Sequence, residues 1–196
     1  MKKYKNILFD FGNVLGVFRV NQLLQECCGY DDEHLREVIF HDWDLFDAGM
    51  YSNEEYIQSC LELANVVEKE AVKKFFNDWF YHLHPIDEMH DWIVELKEKG
   101  YRLYILSNAP VIFEKKISHY PIVKLFDGCV FSGSIRLAKP DVRIYQHLLD
   151  KYDLKAKECF FIDDKVENIE GAFKVGIDGM VYDHNLEEIK KRICRY

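Results

Sequence analysis

The chain alternates short apolar runs with longer stretches in which apolar positions recur every three or four residues. Short apolar runs are typical of buried β-strands, and the longer periodic stretches are typical of amphipathic helices. The pattern predicts strands at residues 4–10, 101–106, 128–131, 160–163 and 177–182. It predicts helices between them at residues 88–100, 140–150 and 166–175. Strands that alternate with helices indicate an α/β fold with a parallel sheet and helices on both faces.

The alternation is interrupted after the first strand by a long helical stretch. Helical periodicity covers residues 22–27, 31–40, 53–63 and 68–80. Ser52 and Asn53 stand before two acidic residues, which is typical of a helix start. An insertion of about four helices predicts a helical cap domain at residues 16–85 and a core built from residues 1–15 and 86–196.

Charge and cysteine content narrow the range of partners and compartments. The 196-residue chain has a formal net charge of −8, so we expect neither nucleic acid nor a membrane surface as a partner. Asp10 interrupts the first apolar run, so we expect no signal peptide. The six cysteines are scattered without a CxxC pair, which favours reduced thiols and a cytoplasmic protein. The sequence is compatible with a monomer or a homodimer.

Acidic residues follow two of the predicted strands. Asp10 ends the first strand, and Asp163 and Asp164 stand together at the end of another. The carboxyl ends of parallel strands open onto a shared crevice. An aspartate can act as a nucleophile in phosphoryl transfer, although Asp10 taken alone is equally compatible with a turn. Two adjacent carboxylates in a buried position need a cation, and Mg²⁺ prefers such oxygen ligands.

Polar residues follow other strands as well. Ser107 and Asn108 come after the strand at 101–106, and Lys139 precedes a proline in LAKPD. A hydroxyl and an amide can bind phosphate oxygens, and a lysine can neutralise phosphate and hold a carboxylate. Each of these residues alone is more typical of a turn or an exposed surface. Together with the acids they predict a crevice suited to phosphoryl transfer, which depends on positioning and charge stabilisation.

The motifs FDFGNVL, LSN, AKPD, FFIDD and NIEGA, in this order, resemble those of the haloacid dehalogenase-like hydrolase superfamily. KPDVRIYQHLL and NIEGAFKVGI are most similar to the branch that includes the bacterial α-D-glucose-1-phosphate phosphatase. The resemblance spans residues 4–182 and is weaker in the cap. It implies a Rossmann-like three-layer core with a parallel sheet and an inserted helical-bundle cap.

The resemblance also implies a role for each motif residue. It implies that Asp10 is the nucleophile, which forms an aspartyl-phosphate, and that Lys139 assists catalysis. The implied Mg²⁺ ligands are Asp10, the main-chain carbonyl of Gly12, Asp163 and Asp164. The implied phosphate contacts are Ser107, Asn108 and Lys139.

Gly12 departs from the commonest pattern of the superfamily. Many members carry a second aspartate two residues after the nucleophile, where it serves as general acid and base. Such a group typically contributes about 10²–10⁴-fold to the rate. The branch that this chain resembles often has glycine here. In this chain the leaving-group proton must come from water, another side chain or the substrate.

The sequence therefore predicts a Mg²⁺-dependent phosphomonoester hydrolase that acts on a small phosphorylated metabolite, with a sugar phosphate as the expected substrate. One alternative is a metal-free 2-haloacid dehalogenase, which the Asp163-Asp164 pair disfavours. Another is a catalytically weak or non-catalytic phosphate-binding regulatory module, with Gly12 as the trace of lost catalysis.

Two further segments could contribute to a site. Cap contacts with substrate are expected near residues 41–46 and in the loop before Ser52, although aromatic residues there are more typical of a core. His82 and His84, with His90 nearby, have a spacing that can bind zinc. They fall where the cap rejoins the core, so we favour a hinge or packing role for them and reject a zinc site.

Overall fold

The fold is built around a parallel β-sheet, seen here in a computed structural model that describes residues 3–194. The strands are β1 (Asn6–Phe9), β2 (Gly16–Val17), β3 (His84–Pro85), β4 (Arg102–Ser107), β5 (Gly128–Phe131), β6 (Cys159–Asp163) and β7 (Asp178–Val181). Five of them form one sheet in the order β5-β4-β1-β6-β7, and every neighbouring pair is parallel. The chain adds strands to one side of β1 and then to the other, so the strand order reverses there. Ligands of open α/β sheets bind at such a point, beyond the carboxyl ends of the strands.

Helices fill the intervals between the strands. Their ranges are α1 (Val20–Cys28), α2 (Glu33–Phe40), α3 (Trp43–Asp47), α4 (Asn53–Leu63), α5 (Lys69–Asp78), α6 (Asp87–Glu98), α7 (Val111–Lys116), α8 (Ser132–Ile135), α9 (Val142–Lys151), α10 (Val166–Lys174) and α11 (Leu186–Cys194). Short 3-10 helices cover Trp79–Tyr81, Ile117–His119, Pro121–Leu125 and Ala156–Glu158.

Successive side chains of the central strands pack into two different apolar clusters. In β1, Ile7 and Phe9 join the cluster that contains Trp92 of α6 and Ile189 of α11. Leu8 points to the opposite face and joins the cluster formed by α9 and α10. Strands buried on both faces appear in the sequence as continuous apolar runs, as β1 does. The resulting three layers confirm the predicted α/β, Rossmann-like fold class.

The helices α1 to α5 and the 3-10 helix Trp79–Tyr81 lie between β2 and β3, and we call residues 18–81 the helical insert. At its base β2 and β3 pair antiparallel, with Gly16 opposite Pro85. Aromatic rings fill the insert, and Phe46 stacks on Tyr56 with ring centroids 4.3 Å apart. The apolar cluster of the insert is continuous with one face of the sheet. The division into a core at 1–15 and 86–196 and a cap at 16–85 stays a prediction.

The insert contains one helix more than the sequence pattern predicts. Helix α3 has five residues, which is too short for a helical period to show. The predicted start of α4 is present as a capping box, in which Ser52 accepts the N–H of Glu55 and Glu55 accepts the N–H of Ser52. The helix predicted from residue 140 begins at Val142, because Asp141 caps it by accepting the N–H of Arg143.

The histidines near the base of the insert pack against its first helix and the core. His82 Nδ1 and His84 Nε2 lie 3.1 Å and 2.8 Å from the carboxylate of Glu26. His90 Nε2 lies 3.0 Å from the carbonyl oxygen of Leu15. These contacts join α1 to β3 and α6 to the first loop, which suits the packing role that we favour from the sequence.

Within residues 3–194, no helix has the length and apolar character needed to cross a membrane. The cysteines whose side chains the structure describes are free thiols, as the scattered spacing favours: Cys27, Cys28, Cys60, Cys129 and Cys159.

Candidate active site

A cavity of about 170 Å³ opens at the carboxyl ends of β1, β4 and β6. Six of the residues singled out from the sequence line it directly: Asp10, Gly12, Ser107, Asn108, Lys139 and Asp164. The seventh, Asp163, is buried next to them at the end of β6. The parallel strands therefore bring all seven predicted site residues to one place, as the topology requires.

Lys139 is the centre of the charged network. Its Nζ lies 2.9 Å from Asp10 Oδ1 and 2.6 Å from Asp163 Oδ2, and it donates to the carbonyl oxygen of Leu106 at 2.9 Å. The side chain is 1% exposed. Burial alone lowers the pKa of a lysine, but the charges of Asp10 and Asp163 outweigh burial and raise the pKa of Lys139. Lys139 is therefore a fixed, buried cation.

The two adjacent aspartates after β6 have different surroundings. Asp163 is fully buried, and its Oδ1 accepts the N–H of Lys165 and the side-chain amide of Asn168, each at 2.8 Å. Its Oδ2 accepts from Lys139, so both oxygens are engaged. Asp164 is half-buried, faces the cavity and accepts the side-chain amide of Asn13 at 3.1 Å. Asp163 thus fixes its neighbours, while Asp164 is available to a ligand.

Asp10 is held close to both of these acids. Ligand oxygens of Asp10, Asp163 and Asp164 all lie within 4.8 Å of one another. Burial raises the pKa of Asp10 to about 6, Lys139 opposes the rise, and the charges of Asp163 and Asp164 add to it. Three carboxylates with one buried lysine leave a local excess of negative charge. Hard oxygen donors with this excess fit a divalent cation such as Mg²⁺.

Asn108 has a second role that the sequence does not reveal. Its side-chain amide donates to the carbonyl oxygen of Lys139 at 2.9 Å and accepts the N–H of Lys139 at 2.8 Å. The side chain therefore fixes the loop that carries the buried lysine. Ser107 is 2% exposed and lines the cavity beside it. Phosphate binding by Ser107 and Asn108 stays a prediction.

Gly12 lines the cavity two residues after Asp10, where a second acid could stand. A Cβ placed on Gly12 would meet Phe18 Cβ at 3.9 Å, an ordinary contact distance. Neither space nor backbone conformation therefore demands glycine at this position. The protein lacks an acid here although the local structure would accommodate one.

The helical insert supplies the other wall of the cavity. Aromatic rings form much of it, and two acids of α3 stand among them: Phe18, Trp43, Trp79, Asp44 and Asp47. The sequence prediction of cap contacts at residues 41–46 includes Trp43 and Asp44 but misses Asp47 and Trp79. An acid within the aromatic segment DWDLFD is a signal that could have found Asp47.

Two atoms of this insert wall are buried without a hydrogen-bond partner in the part of the chain that the structure describes. They are Asp47 Oδ1 and Trp79 Nε1. Burial raises the pKa of Asp47 well above its usual range, and the charge of Asp44 adds to this rise. A buried polar atom that is unpaired in the free protein can be satisfied by a ligand.

Known proteins resemble this chain along most of its length. The family described as haloacid dehalogenase-like hydrolase matches residues 7–181. A sesquiterpene phosphatase of Aspergillus oryzae is 29% identical over 180 residues, which cover 90% of this chain and 89% of that protein. An (S)-2-haloacid dehalogenase of Burkholderia cepacia is 23% identical over 137 residues, which cover 69% of this chain and 56% of that protein.

The fold has a solved counterpart. A HAD family enzyme of Bacteroides thetaiotaomicron, solved in complex with magnesium and inorganic phosphate, superposes with a TM-score of 0.75 at 22% identity. The match covers 92% of this chain and 98% of the solved one. The fold, the convergence of acids and lysine at the sheet edge, and the family match over residues 7–181 agree. The chain belongs to the haloacid dehalogenase-like hydrolases.

Proposed function

We propose that the protein is a Mg²⁺-dependent phosphomonoester hydrolase whose nucleophile is Asp10. The observation that carries this proposal is the charge balance of the site. Asp10, Asp163 and Asp164 outnumber the buried Lys139 and the exposed Lys165 that lines the same cavity, so the site keeps an excess of negative charge. Such an arrangement is unfavourable in a buried site unless a divalent cation completes it.

The surroundings of each carboxylate suggest which of them would bind the metal and which would hold Lys139. Asp164 has an oxygen directed to the cavity, and Asp10 stands beside it, so these two would hold Mg²⁺ together with the carbonyl oxygen of Gly12. Asp163 would act mainly by holding Lys139, since both of its oxygens already accept hydrogen bonds. When bound, Mg²⁺ supplies positive charge that offsets the phosphate oxygens.

The reaction would proceed in two steps at Asp10. A carboxylate oxygen of Asp10 attacks phosphorus, the bond to the leaving alcohol breaks, and an aspartyl-phosphate forms. Water then attacks the same phosphorus, the bond to Asp10 breaks, and inorganic phosphate leaves. Lys139 favours the ionised, reactive form of Asp10 and fixes its direction, while Ser107 lies where it can donate to a phosphate oxygen.

The substrate would be a small phosphorylated metabolite. The cavity of about 170 Å³ and its aromatic wall fit a compact group with apolar faces, and Trp79 Nε1 offers an unpaired donor to a hydroxyl. A sugar phosphate meets these requirements. The sesquiterpene phosphatase relative makes an apolar alcohol phosphate the natural comparison in a substrate screen. We also propose a cytoplasmic location, which the free thiols support.

Dehalogenation is the competing activity within the family. The dehalogenase relative gives this possibility weight. The unbalanced charge around Asp10 and Asp164 disfavours it, because a metal-free reaction would leave that charge in place.

Hydrolysis of p-nitrophenyl phosphate with and without Mg²⁺ tests the proposal. We expect phosphate release that EDTA abolishes, and a loss of at least about 1,000-fold in Asp10→Asn. Chloride release from 2-chloropropionate without metal would support the dehalogenase instead. Absence of both activities, including on a panel of sugar and prenyl phosphates, would support a non-catalytic phosphate-binding module.

A further inference from the structure

The proposed reaction lacks a proton donor at the position where many family members have one. The alcohol that leaves phosphorus carries a developing negative charge, and a positioned acid typically contributes about 10²–10⁴-fold. Gly12 has no side chain with which to supply that proton. Lys139 is committed to Asp10, Asp163 and the carbonyl oxygen of Leu106.

We infer that Asp47, on the helical insert, is the general acid and base of this reaction in place of the acid missing at Gly12. The inference rests on the proposed function, since it concerns the leaving group of the same phosphate ester.

The location of Asp47 is the first support. Asp47 is the last residue of α3 and lines the same cavity as Asp10, Gly12 and Asp164. Its Oδ1 atom is buried and has no hydrogen-bond partner among residues 3–194. Leaving such an oxygen unpaired typically costs about 1–3 kcal/mol. A substrate oxygen in the cavity would provide the missing partner.

The electrostatic surroundings of Asp47 are the second support. Burial raises the pKa of Asp47 well above its usual range, and the charges of Asp44 on α3 and of Asp10 after β1 add to the rise. Lys165, before α10, and Lys139, before α9, oppose it. Burial therefore favours the protonated form of Asp47, whereas at Asp10 the direct ion pair with Lys139 opposes the effect of burial. Two carboxyl groups whose surroundings differ in this way suit an acid and a nucleophile.

Direct contacts hold Asp47 in place against the core. The hydroxyl of Ser132 donates to the main-chain carbonyl of Asp47 at 2.5 Å, and Ser132 Oγ accepts the N–H of Ala109 at 2.9 Å. Ala109 directly follows Ser107-Asn108. Two residues beyond Asp47, Gly49 approaches Gly133 so closely that a Cβ on Gly49 would lie 2.2 Å from the Gly133 carbonyl oxygen. These contacts fix the end of α3 beside the predicted phosphate contacts.

The proton balance closes over one turnover. As Asp10 forms its bond to phosphorus, the electron pair of the breaking P–O bond goes to the alcohol oxygen, which takes the proton of Asp47. Asp47 is then a carboxylate. It accepts a proton from the water that attacks the aspartyl-phosphate, the electron pair of that P–O bond returns to Asp10, and Asp47 is again protonated.

The leaving group provides the test. An alkyl alcohol needs a proton to leave, whereas p-nitrophenolate does not. In Asp47→Asn, with Mg²⁺ present, we expect single-turnover release of an alkyl alcohol from its phosphate to slow by about 10²–10⁴-fold. The burst of p-nitrophenolate should remain within about threefold of wild type. Asp78→Asn, an exposed change on α5 outside the cavity, is the matched control and should leave both rates unchanged.

A rescue variant separates proton transfer from a structural role. The space at Gly12 admits a side chain, so Asp47→Asn combined with Gly12→Asp should recover at least tenfold in alkyl phosphate turnover over Asp47→Asn alone. The fall of the wild-type alkyl phosphate rate at high pH, where the acid loses its proton, should disappear in Asp47→Asn.

The outcomes are distinct. Equal slowing of alkyl alcohol and p-nitrophenolate release in Asp47→Asn, without rescue, would overturn the inference, because it would assign Asp47 to binding or folding. Unchanged rates with both substrates would overturn it too. Failure of the proposed function itself would appear elsewhere, as wild-type activity that is absent or insensitive to Mg²⁺ and to Asp10→Asn.

Discussion

The two walls of the cavity satisfy their polar groups in opposite ways. On the sheet wall, Lys139 contacts Asp10 and Asp163, and both carboxylate oxygens of Asp163 accept hydrogen bonds. On the insert wall, Asp47 Oδ1 and Trp79 Nε1 are buried without a partner in the described part of the chain. On the sheet wall even Asp10 Oδ1, which lacks a hydrogen bond, has an ion pair with Lys139, whereas the two atoms of the insert wall have no polar partner in the described part of the chain.

The difference indicates what each wall is for. Buried polar groups are nearly always hydrogen-bonded, because an unpaired one typically costs about 1–3 kcal/mol. The network around Lys139 fixes a charge pattern before any substrate arrives, which suits a phosphoryl group whose chemistry does not vary. The unpaired groups of the insert wall can be satisfied by a ligand in the cavity. The insert wall is therefore where the rest of the substrate would be recognised.

Breaking the sheet wall should have the largest effect. Lys139→Met removes the cation that Asp10 and Asp163 share, and it leaves their charges buried and uncompensated. We expect a loss of about 3–5 kcal/mol in the free energy of unfolding, measured by urea denaturation without metal. The exposed Lys174→Met is the control and should change stability by less than about 0.5 kcal/mol. A loss below 1 kcal/mol in Lys139→Met would mean that the network does not depend on its lysine.

Separating the two walls should have the next largest effect. Gly49→Ala places a Cβ 2.2 Å from the carbonyl oxygen of Gly133, so the end of α3 must move away from the core. A displacement of about 1 Å can reduce kcat/KM on the order of 100-fold. Gly29→Ala is the matched control, because Gly29 has a similar positive φ of 84° with nothing near its Cβ position. It should lose about 1–2 kcal/mol of stability and keep its activity. Equal kcat/KM in the two variants would show that activity does not require the end of α3 to stay packed against the core.

The sheet wall could be predicted from the sequence because local patterns encode it. A strand such as β1 is a continuous apolar run, and Asp10 follows it at once. The parallel topology then brings the residues after β1, β4 and β6 together. The hydrogen bonds of Asn108 to the main chain of Lys139 could not be foreseen, since they join residues 31 positions apart.

Most of the insert wall could not be predicted from the sequence, because it also depends on contacts between residues that are distant along the chain. Helix α3 is too short to show a period. Its end is held beside the cavity by contacts with residues far along the chain, since Ser132 donates to the Asp47 carbonyl oxygen and Gly133 packs against Gly49. Trp79 looks like any core aromatic residue in the sequence. Its unpaired Nε1 emerges only from the packing of the insert on the core.

The two walls should also respond differently to the loss of one polar group. Asn168→Ala removes a donor from Asp163 and should lower the free energy of unfolding by about 1–3 kcal/mol. Asp47→Asn should not be destabilising. The pKa of Asp47 is raised in the folded state, so wild-type stability falls as pH rises from about 4 towards that raised value, and the asparagine variant escapes this loss. Its stability relative to wild type should therefore increase between pH 5 and pH 8 in urea titrations. A decrease over this range would place Asp47 among the groups that stabilise the fold.

The smallest expected effect concerns protons and metal at Asp10. In the metal-free protein the pKa of Asp10 is raised to about 6, so this carboxyl keeps its proton below that pH and must release it to bind a cation. Mg²⁺ affinity measured by calorimetry should therefore be about fourfold weaker at pH 5.5 than at pH 8. Asp10→Asn should remove this pH dependence, while Asp164→Asn should weaken binding at both pH values. Equal wild-type affinity at the two pH values would show that Asp10 is not a ligand of the metal.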